Sequence, residues 1–234
     1  MPLLLFDIDG TLLTSDGVGR RTIRETLEGI IGRPVTSETV SFSGRTDPAI
    51  MRDVLIESGC SREEAEELLP SCLDAFAEIF CDRIAPRHMT VLPGVHALLD
   101  TVTTRYGLPL GLVTGNLERT AFAKLGAAGL DGYFAFGAYG SDHEDRNLLP
   151  GFAMDRARAH GHHSVRAERT VVIGDTEHDI TCSRYIGASV VAVSTGKVSF
   201  EELESHAPDL LLAHLEDHDV IVSFLDEVAA RPAD

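Results

Sequence analysis

No apolar run in this sequence approaches the roughly 18 residues that a membrane-crossing helix needs. At the N-terminus only Leu3, Leu4, Leu5 and Phe6 precede Asp7. That is too short for a signal-peptide core, and no basic residues lead into it. The expectation is a soluble, cytoplasmic chain without a membrane partner. Cysteine is scarce too. Cys60, Cys72, Cys81 and Cys182 are scattered without CxxC spacing, which disfavours a disulfide framework or a zinc site and suits reduced thiols. Basic residues are outnumbered, with 20 Lys and Arg against 37 Asp and Glu and a formal net charge of −17. A general nucleic-acid partner, which needs basic surface, is therefore not expected. A small anionic substrate is still compatible, because a metal ion and a few placed donors can dominate the local field.

Apolar residues make up 44% of the 234 positions, enough for a substantial core. Their order suggests its form. Strand-like runs fall at Leu3–Ile8, Leu108–Val113, Tyr133–Phe136, Thr170–Ile173, Ser189–Val193 and Asp209–Leu212. Several are too continuously apolar to have one wet face, as in a parallel sheet covered on both sides. The stretches Val95–Arg105, Leu117–Leu125, Phe152–His160 and His178–Ile186 are long enough for crossover helices. The expected fold class is α/β, a doubly wound parallel sheet. From about Thr14 to Arg87 no convincing strand occurs. Ile23, Leu27, Ile30 and Ile31 recur at helical spacing. So do Ala65, Leu68, Leu69, Cys72, Phe76, Ile79 and Phe80, with Pro70 expected to kink or divide that helix. A helical insert, residues 14–87, is expected within an α/β core of residues 1–13 and 88–234. His160, His162 and His163 form a small cluster that reads as a polar helix end rather than a metal site.

Three segments carry candidate chemistry. In Phe6-Asp7-Ile8-Asp9-Gly10-Thr11-Leu12, two carboxylates lie two residues apart at the end of an apolar strand, and Gly10 permits a sharp turn. Strand alternation places both side chains on one side, at the carboxyl edge where open α/β sheets bind ligands. Crowded carboxylates need a cation or a proton; a lone DxD is otherwise a pair of solvated turn residues. In Thr170-Val171-Val172-Ile173-Gly174-Asp175-Thr176-Glu177-His178-Asp179, Asp175 emerges at a second strand end, with Asp179 about one helical turn on. Hard oxygen ligands from two strands suit Mg²⁺. Asp179 equally suits a helix N-terminus, where the dipole favours negative charge. In Leu112-Val113-Thr114-Gly115-Asn116, the Thr114 hydroxyl and the backbone N–H groups of Gly115 and Asn116 precede a helix, either as an anion site or as an ordinary turn.

Together and in this order, DIDGTLL, VTGN and GDTEHD resemble the haloacid dehalogenase-like hydrolase superfamily, over nearly the whole chain. The helical insert is similar to the C1 cap of phosphoglycolate-phosphatase-like members. The resemblance implies a phosphatase that forms an aspartyl-phosphate, with Asp7 as nucleophile and Asp9 as general acid/base. It implies Thr114 as a phosphate ligand. It also implies Mg²⁺ bound by Asp7, the Asp9 backbone carbonyl and Asp175, with Asp179 in support. The implied substrate is a small phosphorylated metabolite, phosphoglycolate-like or a sugar phosphate, acted on by a monomer or homodimer.

One family element departs from pattern. Relatives carry a lysine between the second and last motifs, whereas here Lys124 falls too early, within a helix, and Lys197 too late. Arg146, in Gly140-Ser141-Asp142-His143-Glu144-Asp145-Arg146-Asn147, occupies the expected place with a planar fork suited to phosphate. Its plain alternative is a surface arginine balancing Glu144 and Asp145. Arg45, in Ser43-Gly44-Arg45-Thr46-Asp47, either reaches from the cap to the substrate's distal group or is a surface residue. Three rivals share the core motifs: a sugar-phosphate mutase of the β-phosphoglucomutase type, a metal-free dehalogenase, and a non-catalytic binding protein. Asp9 argues against the dehalogenase, which needs no proton for its leaving group.

Overall fold

The computed structural model describes residues 2–107 and 110–231. Its centre is a six-stranded parallel sheet in the order β5-β4-β1-β6-β7-β8. The strands are β1 Leu3–Phe6, β4 Leu110–Val113, β5 Phe134–Ala138, β6 Thr170–Gly174, β7 Ser189–Val193 and β8 Leu210–Leu212. Every residue of β1, β4, β6 and β7 is buried. Such strands have no wet face, which is why they read as continuous apolar runs rather than alternating ones. Two separate apolar clusters, one containing Phe6, Leu98 and Ile173 and the other Leu5, Phe136 and Val172, use alternate residues of the same strands. Helices cover the sheet: α4 Val95–Tyr106, α5 Glu118–Ala128, α6 Leu149–Ala159, α7 Glu177–Tyr185, α8 Phe200–Ser205 and α9 His218–Ala229.

The register positions the functional loops. Phe6 of β1 aligns with Leu112 of β4 on one side and Ile173 of β6 on the other. The residues just past these strands, Asp7, Thr114 and Asp175, therefore emerge on one rim. Main-chain bonds continue the ladders beyond the strands: Asp7 N donates to Ile173 O at 2.9 Å, and Thr114 N to Ala138 O at 3.0 Å.

Several element ends differ from the sequence reading. The first strand stops at Phe6 rather than Ile8, because Ile8 O accepts from the amides of Thr11, Leu12 and Leu13 and closes a turn. Tyr133 belongs to a 3₁₀ turn, and the strand starts at Phe134. Asp209 precedes β8 and instead accepts from Val190 N through its side chain. Leu108, the expected start of the second core strand, lies outside the described residues.

The stretch read as strandless contains one short exception at its border. β2, Leu13–Thr14, pairs antiparallel with β3, Thr90–Val91, so the outgoing and returning chains meet in a two-residue ribbon. Between them lie α1 Val18–Ile31, α2 Asp47–Glu57 and α3 Arg62–Arg83, which share an apolar cluster including Ile23, Leu27, Met51, Leu69, Phe76 and Phe80. Pro70 does not divide α3, which runs continuously from Arg62 to Arg83. The helix is anchored at its start by a reciprocal Ser61–Glu64 capping box and along its length by buried Ala65, Leu69, Cys72, Phe76 and Phe80. Exposed Pro70 gives up one backbone bond, and packing of the remaining turns offsets that loss. Ile79 departs from the expected stripe and faces solvent.

The four cysteines are free thiols. His160 and His162 lie just past α6 with their rings against Phe136. No helix among the described residues is long and apolar enough to cross a membrane.

Candidate active site

A cavity of about 290 Å³ opens between the carboxyl edge of the sheet and the helices α1–α3. Asp7, Asp9, Thr114, Asn116, Lys124, Arg146 and Asp175 line its floor. Ile23, Phe42, Ile50 and Phe76, with Arg20 and Arg45, line the opposite wall. The two sides are joined by the loop before α2. Asp47 N donates to Gly115 O at 2.7 Å, Thr46 Oγ1 donates to Glu144 O at 2.9 Å, and the Asp47 carboxylate accepts from Leu117 N at 2.9 Å. Gly115 is required at this seam, since a Cβ there would lie 2.1 Å from Arg45 O.

Because β1 ends at Phe6, strand alternation does not govern Asp7 and Asp9, and their carboxyls reach different partners. Asp7 points into a buried acidic group. One oxygen from each of Asp7, Asp175 and Asp179 lies within 4.8 Å of the others, the only such group among the described residues. Gly10, at φ +89°, makes room for it: a Cβ there would sit 2.3 Å from Asp175 Oδ2. Arg146 crosses this group. Its Nη2 donates to Asp7 Oδ1 at 2.9 Å and also to Asp179 Oδ1. Its Nε is buried without a partner. Asp179 serves two ends at once, because its other oxygen accepts from Thr176 N at 3.0 Å and Thr176 Oγ1 at 2.8 Å at the start of α7.

The acidities reflect this crowding. Burial pushes Asp7 up to about 7; Arg146 pulls it down, while Asp179 and Asp9 push it further up. Burial, with Asp7 and Asp179 nearby, holds Asp175 well above the ordinary carboxylate value. Three buried carboxylates thus share a single guanidinium, and a second positive charge would relieve them. A hard, all-oxygen donor set of this kind fits a divalent metal ion.

Asp9 turns the other way. Its Oδ2 accepts from Lys124 Nζ at 2.5 Å and from Asn116 Nδ2 at 2.7 Å. Burial acts to raise its pKa, but the Lys124 ammonium and these bonds outweigh it and hold Asp9 below the ordinary value. Lys124 is the residue the sequence reading passed over. It was set aside as lying too early and inside a helix; it does lie in α5, and from there its buried side chain reaches the site. The available signal was its spacing: Lys124 is eight residues after Asn116, about two helical turns, so both face the same rim.

The helix start after Thr114 is more occupied than an open anion cradle. Asn116 N donates to Thr114 Oγ1, Leu117 N to Asp47 and Glu118 N to Ser141 Oγ. Buried Thr114 also accepts from Asn116 Nδ2 at 2.7 Å. Arg146 is buried, so it is no surface counter-charge to Glu144 and Asp145. Arg45 lies on the cavity wall, with its guanidinium ion-paired with Asp53 at 2.7 Å.

Comparison with known proteins places this geometry in a family. The pyrophosphatase PpaX of Anoxybacillus flavithermus is 25% identical over 217 residues, covering 92% of this chain and 93% of that protein. A phosphoglycolate phosphatase of Nitrosococcus oceani is 23% identical over 216 residues, covering 91% and 92%. The crystal structure of β-phosphoglucomutase from Clostridium difficile has the same fold, with a TM-score of 0.72 at 18% identity over 99% of this chain and 100% of that one. Residues 4–193 match the model of the haloacid dehalogenase-like hydrolases, and the chain is an enzyme belonging to that family.

Proposed function

We propose that the chain is an Mg²⁺-dependent phosphatase that hydrolyses a small phosphate monoester through an aspartyl-phosphate on Asp7. Residues 14–87 act as a cap over a core of residues 1–13 and 88–234. The observation that carries this reading is the cavity floor itself: Asp7 lies in a cluster of three buried carboxylates that a divalent cation would relieve, with Asp9 beside it as a separate carboxyl.

Asp7, Asp175 and Asp179, with the Asp9 backbone carbonyl, are the groups that would hold Mg²⁺. When bound, the ion would neutralise phosphate charge and favour ionised Asp7. A carboxylate oxygen of Asp7 attacks phosphorus, and the bond from phosphorus to the ester oxygen breaks. The leaving alkoxide takes a proton that Asp9, ionised in the free site beside Lys124, first picks up from solvent. Incoming phosphate adds negative charge beside Asp9 and raises its affinity for that proton. Asp9 then accepts a proton from water as the water attacks phosphorus. The bond from phosphorus to Asp7 breaks, releasing inorganic phosphate and restoring the carboxylate. The Thr114 hydroxyl has its own proton left to donate to a phosphate oxygen, and Arg146, on the cavity floor beside Asp7, supplies a charged donor. Arg45 and Arg20 on the cap wall face the substrate's other end.

Phosphoglycolate, sugar phosphates and pyrophosphate form the panel that tests this reading. Release of inorganic phosphate is expected with Mg²⁺ and not in excess chelator. Undiminished release in chelator would refute the metal-dependent reading, and phosphoryl transfer between sugar phosphates without release would identify a mutase.

A further inference from the structure

Only two lysines occur in the chain, and one of them, Lys124, is buried against the site. A buried ammonium is costly unless its donors are well placed. Here Nζ lies 2.5 Å from Asp9 Oδ2 and 2.6 Å from Asn116 Oδ1, with the Phe80 ring of α3 on another side, 5.8 Å from centroid to nitrogen.

The consequence lies in Asn116. An ammonium donates and never accepts, so it can face only the carbonyl end of that amide. Lys124 at the oxygen end and the ionised Asp9 at the nitrogen end together set which way the Asn116 side chain points. With Oδ1 held by Lys124, Nδ2 is directed at Asp9 Oδ2 and Thr114 Oγ1, each at 2.7 Å. One oxygen of Asp9 thereby receives two donors, and Ser15 Oγ donates to the other at 3.4 Å. Without Lys124, the amide oxygen loses its donor and Asp9 loses its charged partner, which leaves each held only by the other and by Thr114 and Ser15. The site thus holds two cations with different duties. Arg146 serves the nucleophile and Asp179, whereas Lys124 touches neither.

We propose that Lys124 is a positioning residue: directly and through Asn116, it holds the Asp9 carboxyl on the leaving-group side of Asp7. This inference rests on the phosphatase reading, which wild-type turnover and its loss in Asp7→Asn test separately.

The experiment is a kinetic cycle with Lys124→Met, Asp9→Asn and the double variant, on an alkyl phosphate and an aryl phosphate. Methionine keeps the length of the side chain, suits the contact with Phe80 and removes the donor. Lys124→Met is expected to lower kcat for the alkyl ester by about 100-fold, the scale of general acid–base assistance, with KM changed by less than about 3-fold. In the first step, read as single-turnover release of the alcohol, the aryl ester, whose leaving group needs less protonation, is expected to lose at most about a tenth as much; hydrolysis of the shared intermediate, where Asp9 acts on both alike, does not enter that reading. On the Asp9→Asn background the same substitution is expected to change kcat by less than about 3-fold, because the residue it positions is already disabled. Equal losses on both esters in that first step, or a full loss repeated on the Asp9→Asn background, would overturn the proposal. So would a raised KM with unchanged kcat, which would make Lys124 a ground-state ligand. If Lys124→Met does not fold, Asn116→Ala takes its place in the same cycle, with the same expected pattern and the same overturning results.

Discussion

Asp7 and Asp9 are two residues apart, yet one belongs to a cluster of three buried carboxylates around a guanidinium, and the other has an ammonium and an amide to itself. The local sequence does not make this difference. It comes from what adjacent parts of the fold deliver: β6 and the start of α7 bring Asp175 and Asp179 to the Asp7 side, and α5 brings Lys124 to the Asp9 side. Burial raises the proton affinity of both carboxyls, and only on the Asp9 side do the partners outweigh it. Without a bound cation these acidities run opposite to the proposed roles: Asp7 tends to keep its proton and Asp9 to stay ionised, and a cation among Asp7, Asp175 and Asp179 with an anionic substrate beside Asp9 would act to reverse both.

The largest effect should come from removing the charge on the attacking side. Asp7→Asn is nearly isosteric and leaves Arg146 still paired with Asp179. Turnover should fall by about 10⁴-fold or more, since the nucleophile itself is lost. The thermal melt should remain cooperative, because the buried group loses one negative charge and keeps its guanidinium. Substantial hydrolysis by the folded variant would end the contrast between the two carboxyls.

Arg146 is the next lever. It pulls the Asp7 pKa down against burial, so Arg146→Ala leaves that carboxyl more strongly protonated. In the proposed mechanism attack needs ionised Asp7, so activity should rise as pH climbs through its pKa. The acidic limb of the kcat/KM profile should therefore move to higher pH in Arg146→Ala and return partway in Arg146→Lys. At neutral pH, kcat/KM should fall by about 100-fold, in line with loss of a charged donor used in both ground and transition states. An unshifted limb would show that Arg146 does not control the nucleophile.

The two sides also differ in how far they could be read in advance. The acidic cluster was legible because its members follow continuously apolar runs, and parallel strands in register deliver them to one edge. Arg146 was legible only through the family resemblance, as a cation near the place where relatives carry a lysine. Lys124 carried only the weaker signal of its spacing from Asn116, which does not say that its ammonium reaches Asp9. Its contact with Asp9 spans 115 residues and depends on how α5 leaves the sheet. Helix and strand ends were misjudged where a tertiary partner decides them, as with Ile8 in its turn and Asp209 bonded to Val190. The cap wall offers a milder test of the same boundary between legible and illegible. Arg45 is tied to Asp53 rather than to the floor, so Arg45→Ala should change kcat/KM by about 10-fold or less. The change should vary with the non-phosphate end of the substrate, unlike that of Arg146→Ala; a loss uniform across esters would put Arg45 with the phosphate donors.

The smallest effect concerns stability alone and lies at the seam on the Asp9 side. Asp47 is buried at the start of α2, and its carboxylate accepts from Leu117 N just before α5, so two helix N-termini face it. Burial nevertheless pushes it up to about 6, against the opposing pull of Lys124 and the Leu117 amide, with Asp9 pushing the same way as burial. A carboxyl whose folded pKa lies above the ordinary 3.8 holds its proton more tightly in the folded chain. Its contribution is thus fully present below about pH 4, declines as pH rises through about 6, and is flat above that. The span corresponds to at most about 3 kcal/mol. Asp47→Asn retains an oxygen for Leu117 N but cannot ionise. Relative to the parent, the variant should gain stability as pH rises from 4 to 6 and hold that gain at pH 8. Chemical denaturation of both proteins across that range measures the gap. A gap independent of pH would mean that Asp47 is not forced to ionise against its burial. The seam would then be as relaxed as the Asp9–Lys124 pair beside it, rather than sharing the unrelieved charge of the Asp7 side.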